Sequence, residues 1–205
     1  MHKLLFLLFF IASGIQAQTA LSTSEAASLK KKVQEQAQRT QTMTLDFVQT
    51  KHMEFLSNAV ESSGKLAFRK PNMVKWEYID PIKYSVLFID QMLYIDENGK
   101  KSDVNLSSNK RFGQLDDLIV NSITGDMFQE KDFEITYLKA EEGYEVVFVP
   151  KDNRLKKYIG EFHIFINQEA YVSQVKMVES SGDFTIIKLS NRKVNQSISD
   201  QVFAH

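Results

Sequence analysis

The side chains that could support catalysis or metal binding are few and widely separated. Beyond residue 17 the chain contains three histidines, His52, His163 and His205. None of them belongs to an HxH or HxxxH pair, the spacings that bring two imidazoles to one metal ion. Nucleotide-binding loops and serine-nucleophile motifs do not occur in the sequence. Because the chain has no cysteine, thiolate metal sites, cysteine nucleophiles, disulfides and lipid attached to a cysteine are excluded. We therefore expect no metal and no cofactor.

The carboxylates form no catalytic arrangement either. Asp116 and Asp117 are neighbours in a segment with helical spacing, where adjacent side chains do not face each other and cannot share a proton. Asp90, Asp96 and Glu97 flank turns, where acidic residues are common. The sequence thus predicts a protein that is not an enzyme. An exported hydrolase with a dispersed active site is the alternative that stays open.

One charged segment could bind a partner. Residues 151–157 contain Lys151, Arg154, Lys156 and Lys157 with a single aspartate. Such a segment could dock an acidic partner or anionic lipid headgroups. A solvated surface loop explains the same residues, and this is the interpretation that the sequence favours.

Composition and the N-terminal segment limit the class of protein. The chain has 205 residues, of which 43% are hydrophobic, and a formal charge of -1, so it is a folded protein without a general basic surface for nucleic acid. Residues 1–17 combine a basic start, an apolar run shorter than the roughly 20 residues of a membrane-spanning helix, and small residues near Ala17. We interpret them as a signal peptide and residues 18–205 as a single domain.

Two segments have the spacing of helices. Ser22 and Glu25 form a capping-box pattern, and the apolar residues that follow predict an amphipathic helix over residues 22–40. Residues 115–123 return to helical spacing, and Gly125 ends that pattern.

The rest of the chain has the period of β-strands. From residue 43 onwards apolar and polar residues alternate, and residues 84–89 form a nearly continuous apolar run that indicates a strand covered on both faces. Asn98 and Gly99 predict a hairpin with a primed turn. The pattern gives about ten strands with mostly antiparallel pairing, and hence a mainly β (α+β) fold.

A single antiparallel sheet of this size tends to curl or close, which creates a hollow face. The twelve phenylalanines beyond residue 17 could fill that hollow as a packed core. The alternative is a partly filled hollow that takes an apolar ligand. Periodicity alone favours the packed core.

Residues 43–96 carry a more specific pattern. Its parts, in order, are Phe47-Val48-Gln49, a strand that begins at Gly64 and runs into Arg69-Lys70-Pro71-Asn72, Trp76 five residues after the proline, Asp80-Pro81, and a strand that ends at Asp90. In order and spacing this segment resembles the LolA family of periplasmic outer-membrane lipoprotein carriers. Beyond residue 96 the resemblance is one of element order, with a similar terminal pattern near residues 200–203.

The resemblance implies an unclosed antiparallel β-barrel, a half-barrel of about ten or eleven strands, with a helical lid over an apolar cavity. It also implies a carrier that binds the acyl chains of lipoproteins released at the inner membrane and brings them to the outer membrane. The implied partners are lipoproteins, the inner-membrane lipoprotein-releasing transporter and, where one exists, an outer-membrane receptor. We expect a monomer that binds no nucleic acid. A lipid-binding or sensing module of the same fold, without transport, is the alternative.

Candidate site residues follow from the same resemblance. Family members often have an arginine directly before the proline, where it helps to hold the lid; here this position is Lys70, whose ammonium lacks the planar fork of a guanidinium. The neighbouring Arg69 faces the other side of a strand. An ordinary core position is the alternative for each residue that we expect to line the cavity. These residues are Leu45, Phe47, Phe68, Val74, Trp76 and Tyr78.

Overall fold

A computed structural model describes residues 19–106 and 127–205. Within these two ranges the chain forms one α-helix, two short 3-10 helices at Leu155–Lys157 and Asp200–Phe203, and eleven β-strands. The helix and strands are α1 (Thr23–Arg39), β1 (Thr42–His52), β2 (Val60–Arg69), β3 (Met73–Asp80), β4 (Tyr84–Ile89), β5 (Met92–Glu97), β6 (Lys100–Asn105), β7 (Phe133–Ala140), β8 (Gly143–Pro150), β9 (Ile159–Ile166), β10 (Val172–Glu179) and β11 (Phe184–Val194).

The start of α1 is fixed by its cap. The hydroxyl of Ser22 accepts a hydrogen bond from the backbone N–H of Glu25, and the Glu25 carboxylate accepts one from the backbone N–H of Ser22. This reciprocal pair satisfies two N–H groups that a helix end would otherwise leave unpaired. The helix predicted over residues 22–40 is therefore confirmed. The second helix, predicted over residues 115–123, lies outside the described residues.

The eleven strands form a single antiparallel sheet in the order β6-β5-β4-β3-β2-β1-β11-β10-β9-β8-β7. Strand β1 pairs with β11 at the centre and so joins the first and last thirds of the chain. In the part of the chain that is described, the outermost strands β6 and β7 do not pair with each other. The sheet is thus an unclosed half-barrel, and the predicted fold class is confirmed.

Local sequence signals account for two further features of the sheet. Asn98 and Gly99 have φ values of 51° and 87°, as a primed hairpin turn requires, and a carboxylate oxygen of Asp96 accepts a hydrogen bond from the Gly99 N–H at 2.8 Å. In β4, the adjacent residues Leu87 and Phe88 are both buried. They belong to different clusters on opposite faces, so β4 is covered on both sides as predicted.

We call the face on which α1 packs the inner face and the opposite face the outer face. Leu29 and Val33 of α1 pack against inner-face residues of β7, β8 and β9. A second cluster lies on the same inner face, nearer the β6 edge of the sheet. It consists of Leu45, Leu66, Phe68, Val74, Phe88 and Leu106. On the outer face, Phe203 near the C-terminus packs against Ala67 and Leu87. The inner face is therefore closely packed toward both edges of the sheet, near β6 and near β7.

The structure does not test the predicted signal peptide. Residues 1–17, interpreted above as a signal peptide, lie outside the described residues, and the domain boundary at residue 18 stays a prediction. Among residues 19–106 and 127–205, no helix has both the length and the apolar character that crossing a bilayer requires.

Candidate functional site

All six predicted cavity residues lie on the inner face. Strand pairing places Phe68 opposite Val74 and Trp76 opposite Leu66, and cross-strand partners share a face. Alternation along β3 then brings Val74, Trp76 and Tyr78 to one side. Arg69 lies on the outer face, where its guanidinium stacks over the ring of Phe203 at 4.7 Å. The structure therefore places the six residues on one face of the sheet and Arg69 on the other.

Burial divides the six residues into two groups. Leu45, Phe47, Phe68 and Val74 are exposed by 5% or less and form part of the packed core. Trp76 and Tyr78 are only half-buried, and Trp76 packs against the edge of the buried cluster. Contact between any of the six side chains and a ligand stays a prediction.

An aromatic cluster surrounds Trp76. The ring centroid of Phe47 lies 4.6 Å from that of Trp76 and 5.1 Å from that of Tyr78, which it meets edge to face. Tyr78 donates a hydrogen bond from its hydroxyl to the side-chain oxygen of Gln49 at 2.9 Å. Burial raises the pKa of Tyr78 above its ordinary value of 10.0, so the phenol stays neutral at physiological pH. The Tyr78 hydroxyl at the edge of the cluster is thus paired, whereas the indole N–H of Trp76 is buried and has no hydrogen-bond partner among the described residues.

Strands β9, β10 and β11 extend this surface with residues that the sequence analysis did not single out. Leu189 lies opposite Phe47, Ile187 opposite Val175, and Val175 opposite Ile164, so these side chains share the inner face, and all except Phe47 are half-buried. The alternation in each strand was visible in the sequence, but only the strand register shows which alternating set faces inward. We call the half-buried central strip the inner floor and define it as Trp76, Tyr78, Leu189, Ile187, Val175 and Ile164.

Lys70, the predicted lid-holding residue, contacts the end of α1. Its ammonium donates a hydrogen bond to the backbone carbonyl of Gln38 at 2.6 Å, and its backbone N–H donates one to the carbonyl of Gln41 at 2.8 Å. Carbonyls in the last turn of a helix lack partners within the helix and carry partial negative charge, which a cation stabilises. Lys70 thus ties the end of β2 to the helix that covers the inner face. Its role in holding a lid over a ligand stays a prediction.

The histidines occupy structural positions. Both ring nitrogens of His163 contact carboxylates, with Nδ1 2.6 Å from Glu145 and Nε2 2.9 Å from Glu161. The ring of His52 stacks on Phe184 at 4.3 Å. In the described ranges, no group of three or more histidine, aspartate or glutamate side chains is arranged to hold a metal ion. Asp116 and Asp117 lie outside those ranges, and the expectation that the protein is not an enzyme stays a prediction.

A groove of about 810 Å³ crosses the outer face. Its lining includes Asp46, Lys65, Lys75, Glu77 and Lys193. Charged side chains of both signs make this groove unsuitable for an acyl chain, because desolvating them would cost free energy that an apolar ligand cannot return. The apolar inner floor is therefore the candidate site.

Comparison with known proteins relates the chain to one family. Residues 38–205 match the family described as "Outer membrane lipoprotein carrier protein LolA". No curated protein matches the sequence significantly. A chain of the Pseudomonas aeruginosa MucA/MucB complex is 8% identical, with a TM-score of 0.51 over 88% of this chain and 61% of that chain. The lipoprotein LppX of Mycobacterium tuberculosis is 9% identical, with a TM-score of 0.51 over 87% of this chain and 99% of that chain. At these identities the two structures show a shared fold.

Proposed function

Because the chain belongs to the LolA family of outer membrane lipoprotein carrier proteins, we propose that it is a periplasmic carrier that takes lipoproteins released from the inner membrane to the outer membrane. In this proposal the acyl chains of the cargo lie on the inner floor. The observation that carries the proposal is the half-buried apolar strip between the two packed clusters of the inner face. Its residues are mainly apolar, share one face and are only half-buried.

The free energy of an acyl chain in water explains why such a surface is needed. Each buried CH₂ group contributes about 0.8 kcal/mol, so one long chain exposed to water costs on the order of 10 kcal/mol. A lipoprotein with several chains cannot cross an aqueous compartment unaided at a useful rate. The inner floor offers apolar side chains on four strands, β3, β11, β10 and β9, within the six consecutive strands from β3 to β9, which supports binding of a long apolar molecule.

Delivery also requires release. A ligand is handed on when the acceptor binds it more tightly than the carrier, or when the carrier closes over its emptied site. The proposed partners are therefore the lipoprotein itself, the inner-membrane transporter that releases it and an acceptor at the outer membrane. The proposed cycle contains no bond-making step, so we also propose that the protein is not an enzyme. Turnover of a chromogenic ester panel that is lost in the His163→Ala variant would contradict this.

Native mass spectrometry of the protein purified from its own host tests the proposal. We expect a population of the chain with a triacylated lipoprotein bound. Val175→Asn, a polar substitution on the inner floor, should lower the loaded fraction, whereas Val48→Asn on the outer face of β1 provides the matched control and should leave it unchanged. Bound free lipid would favour the binding or sensing module instead. A chain that stays empty when challenged with detergent-free lipoprotein would refute both.

A further inference from the structure

Large apolar side chains are exposed together at one end of the sheet. The connection between β1 and β2 carries Phe55, which is 79% exposed, and the connection between β8 and β9 carries Tyr158, which is 73% exposed. Leu56 on the first connection is 40% exposed, and Val60 at the start of β2 is 47% exposed. Because these side chains are exposed, they add little to the stability of the fold. Groups of exposed apolar residues mark interaction sites.

The turn between β10 and β11 holds these two connections side by side. The backbone N–H of Glu54 donates a hydrogen bond to the side chain of Asp183 at 2.9 Å. On the other side of the turn, Ser180 donates from its N–H to the carbonyl of Tyr158 at 3.1 Å and from its hydroxyl to the carbonyl of Lys156 at 2.6 Å. We call residues 53–60, 154–158 and 179–183 the docking rim.

The docking rim carries three basic residues, Arg154, Lys156 and Lys157, all on the connection that holds Tyr158, and three acidic residues, Glu54, Glu179 and Asp183, on the other two segments. Glu179 is paired with Lys51 at 3.0 Å, and Arg154 is paired with Asp152 at 2.8 Å. Lys156 and Lys157 are exposed, and within the described part of the chain neither ammonium forms an ion pair. Two unpaired cations therefore lie beside Tyr158, and the Ser180 turn connects them to the loop that carries Phe55.

We propose that the docking rim binds the surface of an anionic bilayer, with Lys156 and Lys157 at the headgroups and Phe55 and Tyr158 in the boundary between headgroups and acyl chains. Tyrosine favours that boundary because it joins an apolar ring to a polar hydroxyl, an apolar ring such as that of Phe55 inserts below the headgroups, and basic residues add attraction to anionic lipids. The two rings lie on separate connections and are largely exposed, and the cations next to Tyr158 complement an anionic surface, which favours a lipid bilayer as the occupant. This inference goes beyond the carrier function and does not depend on the inner floor.

Vesicle flotation with the exported full chain tests the docking rim. We expect the protein to float with vesicles that contain phosphatidylglycerol and to remain in solution with phosphatidylcholine vesicles. The double variant Lys156→Glu/Lys157→Glu should weaken binding at least about tenfold, and Phe55→Ser and Tyr158→Ser should each weaken it about fivefold to tenfold. The double variant Lys31→Glu/Lys32→Glu on α1 makes the same change in charge elsewhere and should bind as the unmodified protein does.

Two results would overturn the proposal. The first is an absence of binding to anionic vesicles, and the second is binding that the rim variants do not alter. One outcome would identify a protein-docking surface instead. In that case the unmodified protein does not bind vesicles, the rim variants block transfer of cargo to an acceptor protein, and the membrane proposal is wrong. Because these side chains are exposed, all variants should unfold at the temperature of the unmodified protein, which a thermal melt checks.

Discussion

Phe47 and Gly64 lie directly opposite each other on β1 and β2, and the ring of Phe47 fills the space where a side chain at position 64 would begin. A Cβ at position 64 would lie 2.7 Å from Cζ of Phe47 and 1.9 Å from the carbonyl oxygen of Glu77. Because glycine leaves this space free, the ring of Phe47 can pack between Trp76 and Tyr78. Gly64 on β2 thus leaves room for the ring of Phe47, which packs against the aromatic residues of the inner floor on β3.

The first prediction concerns this contact. Gly64→Ala should destabilise the protein by about 1–3 kcal/mol, since overpacking forces neighbouring groups to shift, and it should displace the Phe47 ring against Trp76. Chemical denaturation and near-ultraviolet circular dichroism measure the two effects. Gly160→Ala is the matched control, because the nearest atom to its new Cβ would be 3.5 Å away. Equal free energies of unfolding for the two variants would show that the close contacts at position 64 do not exclude a side chain.

The second prediction concerns Lys70. Lys70→Ala removes the hydrogen bond to Gln38 and the cation at the end of α1, so we expect a loss of about 1 kcal/mol and faster amide exchange in the last turn of α1. Lys70→Arg keeps the charge and donors and should restore most of the protection. Lys32→Ala, an exposed position on the same helix, is the control. Unchanged exchange in Lys70→Ala would mean that this contact does not hold α1.

The third prediction concerns the C-terminal segment on the outer face. Arg69 bonds to the carboxylate of Asp200 at 2.7 Å, donates to the carbonyl of Ile198 and stacks over Phe203. Because Asp200 is 95% exposed, its ion pair should contribute less than about 0.5 kcal/mol. We expect Arg69→Ala to release residues 196–205 to protease and to cost about 1–3 kcal/mol, while Asp200→Ala has little effect. Equal protease sensitivity of the two variants would contradict this account.

The fourth prediction concerns pH and the start of α1. Hydrogen bonds from the Ser22 hydroxyl and backbone N–H, together with the ammonium of Lys139, lower the pKa of Glu25 from 4.5 to about 2. A carboxyl with a lowered folded-state pKa stabilises the fold above its unfolded-state pKa. Protection of the first-turn amides should therefore be complete above about pH 4.5 and fall between pH 4.5 and 2. Hydrogen exchange should show no such change in Glu25→Gln, whereas Glu35→Gln should retain it.

Much of the fold could be predicted because its signals are local. The Ser22 capping box, the Asn98-Gly99 turn and the alternation in β3 each depend on residues within a few positions of one another, and the structure confirms all three. The resemblance over residues 43–96 then implied the unclosed half-barrel and the inward direction of Trp76.

The remaining features depend on contacts between distant segments. Leu189 joins the inner floor because the strand register places it opposite Phe47. Phe203 packs against Leu87 of β4, and the C-terminal segment has no periodic pattern that predicts this contact. A bulge separates Thr44 from Asp46 in the pairing of β1 with β11, which alternation within either strand cannot show. Burial of Leu45 and Val74 in the core likewise depends on neighbours that a single strand does not contain.

The central claim is that acyl chains lie on the inner floor, and fluorescence of Trp76 tests it most directly. Trp76 is the single tryptophan of the chain, so its emission reports on this floor alone. Titration of the exported protein with dibrominated stearic acid should give saturable quenching that unbrominated stearic acid reverses, and Val175→Asn should weaken it while Val48→Asn does not. Saturable binding of the fatty acid without quenching of Trp76 would contradict the claim, because the chain would then lie elsewhere on the protein.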